Sequence, residues 1–154
     1  MTSPADLKGG SGDPWAGSAV PKPRLSVAAI VERRDEILLV RRSGGPAGEW
    51  SLPAALLDPM ETMAEAAVRA LAEQAGFDAG LCGPFMGWTE LIEDAANTHQ
   101  VVMFFKAVIL DDQPGASGTA IEIGWIPVWK VPELRLVDGL AEFLADQGLI
   151  DTVI

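Results

Sequence analysis

The chain of 154 residues carries 11 Lys and Arg against 22 Asp and Glu, a formal net charge of −11, and 49% of its residues are apolar. That length fits one domain able to bury roughly 70% of its unfolded surface, and the acidic balance argues against polymeric nucleic acid or an anionic membrane as partner. The single cysteine, Cys82, excludes an internal disulfide and a cysteine metal cluster and reads as a small buried thiol.

Residues 1–24 are rich in Gly, Ser, Pro and Ala and read as a flexible tail, in which Trp15 alone argues for docking. The rest, 25–154, is expected to form a single domain. No apolar run approaches the roughly 20 residues that cross a bilayer, and the opening MTSPADLKGG lacks a charged-then-apolar signal pattern, so a cytoplasmic location is expected. Segments 25–31 (LSVAAIV) and 36–41 (EILLVR) are aliphatic runs separated by Glu32-Arg33-Arg34-Asp35 and predict a hairpin buried on both faces. Arg41 and Arg42 then lead through Ser43-Gly44-Gly45-Pro46 into a loop ending at Trp50.

A helix is expected over 62–75. Thr62 followed by Glu65 is a capping box, and Gly76 can take the left-handed conformation that closes the last turn. At about 100° per residue, Ala67, Val68 and Leu71 share a core stripe, while Ala66, Ala70, Glu73 and Gln74 share the next side and face the preceding loop. Beyond the helix, 84–92 (PFMGWTELI) reads as a strand with Gly87 at a bulge or close approach, and 94–97 as a turn. The segment 99–110 (HQVVMFFKAVIL) is the most strand-like of the chain and is expected at the centre of a sheet. Residues 113–119 read as a loop and 121–129 as a strand placed at an edge or broken by Pro127. Asp138 can cap a last helix over 140–147, with Leu140, Phe143 and Leu144 inward and Gly148 as its stop.

The stretch WSLPAALLDPMETMAEAAVRALAEQAGF, from Trp50 to Phe77, resembles the Nudix hydrolase box, G-x(5)-E-x(7)-R-E-U-x-E-E-x-G-U with U a bulky apolar residue. Glu61, Arg69, Leu71, Glu73, Gly76 and Phe77 occupy their motif positions without a gap, and Trp50, Leu52 and Pro53 are similar to the family's approach to the box. Three positions depart: Ala55 stands for the glycine, Ala70 for the glutamate after the arginine, and Gln74 for the last glutamate. The resemblance, which covers about 25–147, implies an α/β fold, an α/β/α sandwich with a mixed sheet. It also implies hydrolysis of nucleoside diphosphate derivatives assisted by magnesium. The aspartate-rich turn before His99-Gln100-Val101-Val102 looks like the members that act on ADP-ribose.

In the family the glutamates matching Ala70, Glu73 and Gln74 hold the metal and one can act as base, whereas the glutamate and arginine matching Glu61 and Arg69 brace the loop against the helix. The resemblance thus leaves Glu73 as metal ligand and catalytic residue, with Glu122 the best substitute acid. Ala55 marks the position whose carbonyl would approach the metal, and Arg41 and Trp50 mark substrate positions. Because alanine offers no ligand and an amide oxygen is weaker than a carboxylate for a hard cation, magnesium binding is expected to be weak or absent. An alanine at 55 reaches positive φ only at a cost of about 1–2 kcal/mol, so the loop is expected to be remodelled.

Three readings stay open: a hydrolase of a small phosphorylated nucleotide derivative with a reduced metal site; a non-catalytic binding or regulatory module on the same pocket; and a structural interaction domain. A homodimer is also left open. His99, the one histidine, reads more readily as structural than catalytic.

Overall fold

The computed structural model describes residues 22–41, 48–111 and 118–151. The expected tail with Trp15, the turn 42–47 and most of the loop 113–119 lie outside the described residues.

β1 (Arg24–Ile30) and β3 (Glu36–Arg41) run almost wholly buried through the middle of the molecule. Their side chains alternate between two cores, as the period of an extended strand requires. Val27 and Ala29 of β1 and Leu38 and Val40 of β3 face one cluster; Ala28, Ile30, Ile37 and Leu39 face the other. The helix α1 (Met63–Ala70) covers the first cluster with Ala66 and Ala67, and α2 (Leu140–Asp146) covers the second with Leu140, Phe143 and Leu144. The product is the expected α/β/α sandwich.

The strands divide into two sheets. In the first, β5 (Ala54–Leu56), β1, β7 (Thr98–Ile109) and β6 (Ala79–Glu93) lie in that order, with β1 and β7 parallel and the other pairs antiparallel. β7 is therefore internal, as its composition predicts. In the second, β3 pairs with β2 (Glu32–Arg33), β4 (Trp50–Ser51) and β8 (Glu122–Pro127). The expected hairpin of 25–31 with 36–41 is thus replaced. The turn closes only the short β2–β3 pair, because β1 is held from Arg24↔Gln100 to Ile30↔Lys106 by β7, while β8 runs beside β3 from Glu36↔Pro127 to Arg41↔Glu122. The Leu38 N–H to the Val31 carbonyl, 3.0 Å, stitches the two sheets together where the chain passes between them.

Local signals agree in most places. Both capping-box bonds form, Glu65 N–H to Thr62 Oγ1 at 3.1 Å and Thr62 N–H to Glu65 Oε1 at 2.9 Å. The ladder between β6 and β7 shifts register between Phe85 and Gly87, and Gly87 has φ +136°, which only glycine adopts readily. Two details differ. Val68 is 38% exposed, and the fully buried stripe is instead Ala66, Ala67, Ala70 and Leu71, since the small side chains let the helix lie close on the sheet. Asp138 does not cap α2: the residue before the helix is Gly139, at φ +82°, and no side chain caps it. Among the described residues no helix is long and apolar enough to cross a membrane.

Candidate functional site

The helix that begins at Met63 changes its winding after Ala70. Leu71–Ala75 is a π-helical turn, closed by Gly76 at φ +75°. The wider turn leaves the carbonyls of Glu73 and Gln74 without helical partners. They accept the N–H groups of Thr119 and Ala120 at 2.8 and 3.1 Å, which fastens the chain entering β8 to the helix end. Gly118 is required in this approach, because a Cβ there would overlap the Gln74 carbonyl.

Beside this turn lies an open groove of about 1080 Å³. One wall is β5 and the helix, with Ala54, Ala55, Leu56, Asp58, Arg69, Glu73 and Gln74; the other is the start of β1 and the turn into β7, with Lys22, Arg24, Ser26 and residues 97–100. Thr119 also lines it.

Arg69 is the fixed point of the first wall. Its Nε donates to Glu61 Oε2 at 2.8 Å, and its Nη2 donates to Glu61 Oε1 at 2.9 Å and to the Leu56 carbonyl at 2.6 Å. Asp58 and Glu73 add ion pairs at 3.4 Å each. The Glu61 side chain is 14% exposed and also accepts the Asp58 N–H at 3.0 Å. The bond from Arg69, followed by that from the Asp58 backbone, lowers the Glu61 pKa from the ordinary 4.5 to about 2. The same pairing raises that of Arg69, which stays charged throughout. These bonds tie the loop at Leu56, Asp58 and Glu61 to the helix at Arg69.

Glu73 lines the groove with its side chain 56% exposed. Ala70, fully buried, lies outside the groove lining. Gln74 turns its Oε1 to the Ala54 N–H at 2.8 Å, so the amide oxygen holds the loop. Ala55, where the motif has glycine, lies within β5, paired with Val27, and is not among the residues of positive φ.

Arg41, Trp50 and Glu122 are brought together at the end of the second sheet and do not line the groove. Arg41 pairs with Glu122 at 2.8 Å, and its guanidinium lies 5.9 Å from the centre of the Trp50 ring. Arg41 Nε is buried without a hydrogen-bond partner among the described residues. His99 lines the groove with Nε2 2.7 Å from Glu90 Oε2. Burial raises the Cys82 thiol pKa, as suits a structural cysteine.

The groove residues that sequence reasoning misses are Lys22, Arg24, Asn97 and Gln100. They meet because β1 and β7 run parallel with Arg24 opposite Gln100, a pairing 76 residues apart that no local periodicity announces.

A sandwich with a capped helix, an arginine brace and a groove along the helix face defines a Nudix-type domain. Residues 22–147 match the NUDIX domain family, and the chain belongs to that family. The 8-oxo-dGDP phosphatase NUDT18 of Mus musculus is 28% identical over 109 residues, which are 69% of this chain and 32% of that protein; the chain spans about a third of that curated relative's length. Among solved structures, the NUDIX domain of Shewanella oneidensis NrtR complexed with ADP ribose superposes with a TM-score of 0.73 at 21% identity, covering 96% of this chain and 97% of that one. A MutT NUDIX hydrolase from Burkholderia pseudomallei gives 0.63 at 25% identity, covering 70% and 85%.

Nudix domains generally use divalent metal ions. The donors present here do not fit the family's three-glutamate arrangement. The helix offers Glu73 alone, the Gln74 oxygen is engaged by the backbone, Ala70 supplies nothing, and Glu122 is paired with Arg41 outside the groove. Among the described residues no three His, Cys, Asp or Glu side chains are grouped to hold a metal.

Proposed function

We propose that this chain binds a small nucleoside diphosphate derivative, with ADP-ribose as the type case, in the groove beside Arg69 and Glu73. Its magnesium-dependent phosphoanhydride hydrolysis is weak or lost. The observation that carries this reading is the hydrogen bond from Ala54 N–H to Gln74 Oε1. It commits to the loop a side chain that hydrolases of the family keep as a metal carboxylate, while the brace that shapes the groove remains.

Phosphoanhydride hydrolysis needs charge on the phosphates neutralised and a water made nucleophilic. The helix contributes one carboxylate to the groove, Glu73, itself paired with Arg69. If the missing carboxylates remove roughly 3–5 kcal/mol of transition-state stabilisation, the rate falls by about two to four powers of ten. Binding has no such requirement, because a preformed groove with polar walls suffices.

Isothermal titration of the full chain with nucleoside diphosphate sugars and dinucleotides, with and without magnesium, tests the reading. Saturable binding of at least one diphosphate compound supports it. Absence of binding across the panel removes the pocket from the account and leaves the interaction-domain reading in its place.

A further inference from the structure

The groove does not share the acidic excess of the chain. The whole sequence has 11 basic against 22 acidic residues, whereas the lining has Lys22, Arg24 and Arg69 against Asp58 and Glu73, with Glu61 behind Arg69. Basic side chains gathered on one wall of a concave site attract an anion even when the distant surface repels it. The three cations are not equivalent. Arg69 is held by Glu61 and the Leu56 carbonyl and faces Asp58 and Glu73, so its charge is already matched by its own wall. Arg24 stands on the opposite wall as the exposed first residue of β1, two residues after Lys22.

Resting on the binding reading above, we propose that the groove holds the diphosphate of its ligand on Arg24, supported by Lys22, with no divalent cation. A guanidinium presents a planar fork of donors that can grip two phosphate oxygens at once, and an ammonium adds a point charge. The opposing wall is prepared for this. Glu73, the one helix carboxylate that would repel a phosphate, is ion-paired with Arg69 at 3.4 Å. The Gln74 amide oxygen faces the Ala54 N–H at 2.8 Å, so it adds no charge. A magnesium ion would have to compete with Arg69 for Glu73 and would find no second helix carboxylate lining the groove, since Glu65 is held in the capping box. The chain has replaced the metal's neutralising role by side-chain cations on the far wall.

The test is titration of ADP-ribose into the full chain in EDTA and in magnesium, for the parent, Arg24→Ala and Arg24→Lys, with each variant's melting temperature as the folding control. The expected result is equal parental affinity in EDTA and magnesium, competition by inorganic pyrophosphate, and a loss of about ten-fold or more in Arg24→Ala. Arg24→Lys should recover part of that loss, and affinity should fall as salt is raised. Binding that requires magnesium, or a folded Arg24→Ala with parental affinity, overturns the proposal while the binding reading stands. Parental protein that binds neither ADP-ribose nor any other diphosphate of the panel in either condition overturns both.

Discussion

Gln74 and Ala54, 20 residues apart in sequence, are joined by a 2.8 Å hydrogen bond from the Ala54 N–H to the Gln74 side-chain oxygen. The bond ties β5 to the π-helical turn within one wall of the groove. Gln74→Ala leaves a partly buried donor without its acceptor. The expected cost is about 1 kcal/mol, or about 2–4 °C in Tm for a chain of this size. Thermal denaturation followed by circular dichroism measures it, and an unchanged Tm would show that the bond does not hold the loop.

Arg69 and Glu61 provide the second tie, and Arg69→Ala should lower the melting temperature because it removes the partner of the Glu61 carboxylate and the Leu56 carbonyl. The pair also fixes an acid dependence. Glu61 titrates lower in the folded chain than its ordinary 4.5, at about 2, so the stability it supplies is present above pH 4.5 and is lost as the pH falls toward 2. The Glu61→Gln variant should be less stable than the parent at neutral pH and should lose less on acidification through that window. Parallel pH profiles for the two proteins would contradict the brace.

Much of this was legible from residue types alone because the signals are local. Thr62 and Glu65 satisfy each other within one turn, Gly76 and Gly148 take the left-handed conformations that end their helices, and Glu61 and Arg69 meet because the motif spacing sets the loop that carries one against the helix that carries the other. The resemblance marks Arg41 as the arginine that closes its strand, yet the sheet that holds it is decided by the pairing of β3 with β8, a long-range choice. The same holds for Lys22 and Arg24, which read as the end of a polar tail until the parallel β1–β7 pairing brings them to the groove. The π-helical turn had no signal either, since its residues are ordinary helix formers and its stabilising partners are Thr119 and Ala120.

Restoring the carboxylates tests why turnover is weak. Ala70→Glu with Gln74→Glu places three acidic side chains, with Glu73, within one turn. The apo variant should be less stable than the parent, because the charges repel and position 70 is fully buried. Magnesium should restore that stability, since it binds only the folded state. Hydrolysis of ADP-ribose should rise by about two to four powers of ten, and Glu73→Gln should abolish whatever activity the parent has. A double variant that folds, binds magnesium and turns over no phosphoanhydride would place the cause in the Ala54–Ala55 strand rather than in the missing acids.

The most direct test of a groove that binds without efficient turnover is phosphorus NMR of ADP-ribose mixed with an equimolar amount of the full chain in magnesium, followed for hours. The account predicts diphosphate resonances that shift or broaden on mixing and then persist, with at most a slow appearance of monophosphate signals. Rapid conversion to monophosphates by the parent protein would contradict it, because Glu73 and its neighbours would then be sufficient for metal-assisted hydrolysis.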